Sequence, residues 1–279
     1  MHNSFTLNIH GTLKTIDKPW VMGILNVTPD SFYEGSRITG VEAALAKAES
    51  MLEEGADCLD IGGYSSRPGA DEVSENEELA RVIPVIEAVH HRFPEAIISI
   101  DTFRSQVARE AVNAGASIIN DISGGEADKL MFSAVKELNV PYILMHMAGN
   151  PKTMQNSPSY KNVVTEVYTS LSKRVQKLRQ LGVADVIVDP GFGFGKTIEH
   201  NYALLKGMAY FQSLNCPILV GLSRKSMIYK SLNINPEESL NGTSVLNTYA
   251  LELGAQILRV HDVKEAKQVV DLYSLMNLE

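Results

Sequence analysis

Short apolar runs rich in β-branched residues alternate with segments in which apolar residues recur every three or four positions, and the alternation repeats about eight times. The runs fall at 21–27, 58–61, 97–100, 117–119, 142–145, 186–188, 217–220 and 256–258. They are mostly continuously apolar, as parallel strands covered on both faces are. The first helical stripe is Ala44, Leu45, Ala48, Met51 and Leu52, stopped by Gly55. The second is Leu79, Val82, Ile83, Ile86 and Val89, with Pro84 inside it predicted to kink or restart the helix. Thr39-Gly40-Val41-Glu42 and Ser74-Glu75-Asn76-Glu77 read as capping boxes opening these two helices. Further helices are predicted over 108–113, around Met131, Val135 and Leu138, and along Val164, Val167, Leu171, Val175 and Leu178. Others start near Ile198, with Tyr202, Leu204 and Leu205, and cover roughly 243–253 and 263–275. Ahead of them Phe5, Leu7 and Ile9 alternate, Gly11 turns the chain, and Leu13 and Ile16 follow. That is a short N-terminal β-hairpin able to cap the bottom of a barrel.

So many regular strand–helix units predict an α/β fold of the TIM (β/α)8 barrel type, with the hairpin in front. An open doubly wound sheet rarely uses so many. No linker-like or low-complexity stretch divides the chain, so residues 1–279 are expected to form a single domain.

Composition narrows the partners. The chain has 279 residues, 44% hydrophobic, enough for a full core, and a net charge of -8. That charge offers no basic field for nucleic acid, so positive partners for an anionic ligand must be local. Cys58 and Cys216 cannot build a disulfide framework, which points to the reducing cytoplasm. No apolar run is long enough to span a bilayer, and the first residues lack a signal-peptide pattern, so no membrane partner is expected.

In a TIM barrel the C-terminal strand ends converge on one mouth. Here they carry Asn26, Ser66-Arg67, Asp101, Asn120, His146-Met147, Asp189, Lys225, and Arg259 with His261. Asp101, Asn120 and Asp189 suit a flat heterocycle rich in N–H donors. Arg67, Lys225, Arg259 and His261 suit a phosphate-bearing group. Asn26 with Asp30 could help to hold Mg²⁺ through oxygen ligands. Each has a plainer reading: Asp101 as a helix N-cap, Asn26, Asp30 and Asn120 as turn residues, His261 as a cap of the last helix, and the cations as solvated charges. His146 reads as a hydrogen-bonded core histidine. Their shared place at one mouth favours a site. Gly191-Phe192-Gly193-Phe194-Gly195-Lys196-Thr197 looks like a P-loop, but the first position is Pro190, which has no N–H for a phosphate. No closely spaced zinc-ligand set is present in the sequence.

A set of motifs runs in order along nearly the whole chain. They begin with Met22-Gly23-Ile24-Leu25-Asn26-Val27-Thr28-Pro29-Asp30-Ser31-Phe32, Asp60-Ile61-Gly62-Gly63 and Ser66-Arg67-Pro68-Gly69. Ile100-Asp101-Thr102, Asn120-Asp121-Ile122, Met145-His146-Met147 and Asp189-Pro190-Gly191-Phe192-Gly193 follow. Ser223-Arg224-Lys225-Ser226 and Arg259-Val260-His261-Asp262 complete the set, and together these stretches resemble the dihydropteroate synthase family. The resemblance implies a TIM-barrel transferase of folate synthesis. It would join 6-hydroxymethyl-7,8-dihydropterin diphosphate to p-aminobenzoate, releasing pyrophosphate. It implies that Asp101, Asn120, Met147, Asp189, Lys225 and Arg259 hold the pterin. Asn26, Arg67, Arg259 and His261 would serve the diphosphate, with Mg²⁺ at Asn26 and Asp30. Ser66, Arg67, Pro68, Phe194, Ser223 and Lys225 would shape the p-aminobenzoate site. Lys225, Arg67, Asp101 and Asp189 would be the catalytic group, and the enzyme a homodimer. Tyr64 stands where the family often has Gln or Glu, Ser66 replaces a usual Thr, and Tyr33-Glu34 a usual Ser-Asp. The competing readings are a pterin-dependent methyltransferase barrel, an aldolase with Lys225 as Schiff base, and an inactive pterin-binding paralogue.

Overall fold

The structure is a computed structural model that describes residues 4–27, 37–64, 73–149 and 158–277. Strands β1 (Phe5–Ile9) and β2 (Thr12–Ile16) form the N-terminal antiparallel hairpin. His10 and Gly11, both at positive φ, make its two-residue turn. Eight parallel strands follow: β3 (Trp20–Asn26), β4 (Cys58–Gly62), β5 (Ile97–Asp101), β6 (Ile118–Asp121), β7 (Tyr142–Met145), β8 (Val186–Asp189), β9 (Leu219–Val220) and β10 (Ile257–Val260). They are ordered β8-β7-β6-β5-β4-β3-β10-β9. A parallel bridge between Val188 and Ile218 links β8 to β9. There the Val188 N–H donates to the Pro217 carbonyl at 2.9 Å, closing the TIM barrel.

The helices are α1 (Arg37–Glu53), α2 (Glu75–Arg92), α3 (Ser105–Asn113), α4 (Met131–Leu138), α5 (Val163–Gln180), α6 (Ile198–Lys206), α7 (Ser226–Leu232), α8 (Leu240–Glu252) and α9 (Val263–Met276). The sequence pattern does not signal α7 or the 3₁₀ segment Met208–Leu214; both are too short to show a period. Helix α1 begins at Arg37, ahead of Thr39, so the Thr39 box is not its start. Nor does Pro84 restart α2, which runs unbroken from Glu75 to Arg92. The Ser74–Glu77 capping box holds its first turn, and the buried face of Glu78, Val82, Val85, Ile86 and Val89 holds the rest, offsetting the lost hydrogen bond.

The strand period of two explains where the chemistry sits. One buried layer inside the barrel is Met22, Cys58, Ile97, Ile118, Ile143, Ile187, Leu219 and Ile257, one residue from each strand. Leu7, Ile9 and Ile16 of the hairpin and Trp20 join the same cluster, plugging the N-terminal end as the alternation predicts. The Asn8 N–H donates to Asp185 at 2.8 Å and fixes the plug to the barrel. Two residues further along the strands, on the same face, come Asp60, Ser99, Asn120, Met145, Asp189 and Arg259. With Ile24 and Met145 as the apolar members of this layer, the interior changes from wholly apolar to largely polar within one step of the pleat, toward the C-terminal mouth.

Candidate active site at the barrel mouth

Arg259, on β10, is the hub of the polar layer. Its Nε donates to Asp60 Oδ2 at 2.6 Å and its Nη2 to Asp101 Oδ2 at 2.7 Å. Asp60 also accepts from Asn120 Nδ2 at 2.9 Å. Four strands are thereby tied across the inside of the barrel. Burial pulls the Arg259 guanidinium down, but Asp60 and Asp101 push it further up, so it remains a cation. Burial raises the Asp101 carboxyl to about 7; Arg259 opposes this, while Asp60, Glu78 and Asp121 add to it.

Asp189, at the end of β8, is buried, and its Oδ1 accepts the Gly191 N–H at 2.7 Å. Burial raises its pKa, and that N–H, Lys225 and Lys196 oppose the rise. Lys225 precedes α7; its ammonium donates to the Phe192 carbonyl and lies 4.4 Å from the centroid of the Phe194 ring. Burial lowers its pKa to about 8, with Asp189 pulling the other way. Met147 is buried against Ile122 and Met145, with Phe103 and Phe194 packed on this small apolar cluster. Ser223 Oγ lies 2.9 Å from His261 Nδ1 and accepts the His261 N–H at 3.2 Å. Burial, then Arg259 and Arg224, hold the His261 ring down at about 4, so it is neutral at pH 7.

The loop after β8 is held at several of its backbone groups. Gly193 N–H donates to Asn201 Oδ1 at 2.7 Å, and Tyr160 OH donates to the Gly195 carbonyl at 3.0 Å. Lys196 Nζ donates to the carbonyls of Gly191 at 2.8 Å and Phe194 at 3.0 Å, and reaches His146 Nδ1 at 3.2 Å. A lysine turned inward onto carbonyls is not the phosphate-facing lysine of a P-loop.

Several plainer readings do not survive the geometry. Asp101 does not cap α3: Arg104 occupies the N-cap position, and Asp128 accepts the Ser105 N–H at 2.7 Å. Asn120 spends its amide on Asp60 and not on a turn; Asp121 is the turn residue, accepting from Ser123, Gly125 and Tyr142. Asp262, not His261, stands at the N-cap of α9. His146 is the buried, hydrogen-bonded histidine that its position suggests. Among the candidate residues, Asp101, Asn120, Asp189, Lys225, Arg259, Met147 and Phe194 come together at the mouth, with Ser223 and His261 on the β9–β10 side. Asn26 ends β3 and is exposed, in register with Gly62 of β4. Asp30, Ser66, Arg67 and Pro68 lie outside the described residues. Among the described residues, no group of three His, Cys, Asp or Glu side chains is placed to hold a metal ion. Two residues of the site go beyond the strand tips. Asp60 lies within β4, where the signal is a carboxylate interrupting an apolar strand. Lys196 was visible only as the lysine of a failed P-loop.

A barrel with carboxylates, an amide and buried cations facing one another at its mouth matches a known class: residues 22–261 match the family described as "Pterin binding enzyme". The chain is 48% identical over 263 residues to the Dihydropteroate synthase of Escherichia coli K12, covering 93% of this chain and 92% of that one. It superposes on the Xanthomonas albilineans dihydropteroate synthase solved with 4-aminobenzoic acid at a TM-score of 0.91, with 41% identity, covering 99% of this chain and 100% of that one. The same organism's enzyme in complex with 7,8-dihydropteroate gives a TM-score of 0.88, with 39% identity, covering 99% of this chain and 100% of that one. The chain belongs to the dihydropteroate synthase family.

Proposed function

We infer that the chain is a transferase that condenses 6-hydroxymethyl-7,8-dihydropterin diphosphate with p-aminobenzoate, giving 7,8-dihydropteroate and pyrophosphate. The observation that carries this reading is the Asp60–Arg259–Asp101 and Asp60–Asn120 network beside Asp189 and Lys225, a set of acceptors and donors matched to a flat pterin. Asp101, Asn120, Asp189, Lys225 and Arg259 hold the ring, and Met147 packs beside it. Phe194, Ser223 and Lys225, with Ser66, Arg67 and Pro68, form the p-aminobenzoate side. Asn26, Arg67, Arg259 and His261 serve the diphosphate. A neutral His261 acts there as a hydrogen-bond donor or acceptor, not as a charge.

The chemistry asks for little acid–base work. The C–O bond to the diphosphate breaks and the electron pair leaves on oxygen, while the electron-rich dihydropterin supports the positive methylene. The lone pair of the aryl amine then forms the C–N bond and the nitrogen loses a proton. The amine is neutral at pH 7, so no nucleophile–base pair is required. Cations at the mouth stabilise the departing charge. Mg²⁺ would supply the same stabilisation. Asn26 offers it one neutral oxygen, so the ion would be held chiefly by the diphosphate, water and Asp30.

The whole chain, 1–279, is read as one domain working in the cytoplasm, with two buried free cysteines in keeping with a reducing compartment. It is read as a homodimer. The surface that supports this is the apolar face of α8 and α9, where Val245, Tyr249, Leu272, Leu275 and Met276 are exposed beside a groove of about 390 Å³. The deciding assay is formation of dihydropteroate from the pterin diphosphate, p-aminobenzoate and Mg²⁺. Measurable pterin binding without product would sink the synthase reading and leave the non-catalytic pterin binder.

A further inference from the structure

The loop over 190–196 contains three glycines, all at positive φ: Gly191, Gly193 and Gly195. It runs tightly against the segment after β7. A Cβ on Gly191 would fall 1.9 Å from the His146 carbonyl oxygen, and one on Gly195 would fall 2.6 Å from that of Ala148. The close approach requires glycine, and glycine leaves the loop with little conformational preference of its own. It also turns carbonyl oxygens toward one another in a dry region. The nitrogen on which they converge is Lys196 Nζ, 2.8 Å from Gly191 O, 3.0 Å from Phe194 O and 3.4 Å from His146 O, with His146 Nδ1 at 3.2 Å. The Lys196 side chain is 4% exposed, so it is spent wholly on these partners. Tyr160 adds a second tie at the Gly195 carbonyl. The same loop presents the Phe192 carbonyl that receives Lys225 and the Phe194 ring beneath the Lys225 ammonium.

We propose that Lys196, assisted by Tyr160, is a positioning residue that locks the glycine loop and so sets Phe192 O, Phe194 and Lys225 for the aryl-amine substrate. This rests on reading Phe194 and Lys225 as that substrate's wall. Lys196 touches no reacting atom; it acts through the loop. Of the pterin-holding groups, Asp101, Asn120 and Arg259 lie on strands outside this lock, while Asp189, which accepts the Gly191 N–H, and Lys225 border it.

The test uses the full-length enzyme and the variants Lys196→Met and Tyr160→Phe. In Lys196→Met, KM for p-aminobenzoate rises at least tenfold, while calorimetric Kd for the pterin diphosphate, held also by the strand residues Asp101, Asn120 and Arg259, rises by no more than threefold. Hydrogen exchange of the amides over 191–195 speeds at least tenfold, with the barrel strands unchanged. Tyr160→Phe, which removes only the hydrogen bond to the Gly195 carbonyl, raises the same KM about threefold with a smaller change in pterin Kd, and decides the matter if Lys196→Met does not fold. Unchanged KM and unchanged loop exchange overturn the proposal. So does an equal loss for both substrates with the melting temperature retained. Wild-type enzyme that binds the pterin diphosphate but makes no dihydropteroate fails the functional reading instead. The exchange measurement still judges the lock in that case.

Discussion

Arg259 Nε and Asp60 Oδ2 lie 2.6 Å apart, although β10 and β4 are not neighbours in the sheet and β3 runs between them. The pair spans the barrel interior, and the same Asp60 oxygen receives Asn120. Asp60→Asn keeps the shape and removes the charge, so Arg259 and Asn120 lose their common anchor. Pterin affinity should fall about tenfold, ~1.4 kcal/mol. Asp60→Ala should also cost about 3 kcal/mol of stability, because it removes one of the two carboxylates paired with a largely buried guanidinium. Calorimetry and denaturant melts on both variants measure the two effects. Wild-type pterin affinity in Asp60→Asn would remove the anchor from the account.

Asp189 and the residues beyond it divide the labour differently. Asp189→Ala should abolish detectable pterin binding while leaving a folded barrel. Arg67→Ala should retain pterin binding within a few-fold and lose at least tenfold in turnover. Kd and kcat measured side by side check the split, and normal pterin binding in Asp189→Ala would count against the assignment.

The pH dependence of stability should reveal His146. Burial, followed by the charges of Lys196 and Arg174, lowers its pKa from 6.5 to about 3. The folded ring stays neutral while the unfolded ring takes a proton below pH 6.5. Stability contributed by the neutral ring is therefore complete above pH 6.5 and is lost as pH falls toward 3. His146→Asn has no such titration, so its melting-temperature deficit relative to wild type should shrink between pH 7.5 and pH 5. A deficit that stays constant or widens contradicts a buried neutral imidazole.

If α8 and α9 carry the contact between two copies, Leu272→Glu and Met276→Glu together should yield a monomer by sedimentation velocity. Each site is exposed in one copy, so the folding of the single chain should change by only a few tenths of a kcal/mol. A variant that sediments like wild type places the contact elsewhere.

Much of this molecule is legible in its sequence because the barrel repeats one physical unit. Apolar runs and helical stripes mark strands and helices, and the strand tips mark the mouth. Asp101, Asn120 and Asp189 stand out as polar groups ending apolar runs. The limits of the strands are less legible: β5, β6 and β8 take in these residues because inward-facing partners satisfy them. Asp60 is harder to see for a related reason. Its worth lies in Arg259, 199 residues away, and no local pattern encodes that pairing. Lys196 gets no role from the local pattern, because its neighbours imitate a phosphate loop that Pro190 rules out, whereas its partners are carbonyls of the segment after β7 and of the loop itself. Pro84 shows the converse: a strong local breaker is overruled by a well-capped helix with a buried face.

The barrel is a hoop with one slender clasp. β9 has only two residues, and the bridge from Val188 to Ile218 is what fastens it to β8. Asp189 stands on one side of that clasp, and Lys225 follows the strand on the other. A pterin held by both, as proposed above, would be a second clasp, and the substrate would then complete the hoop that holds it.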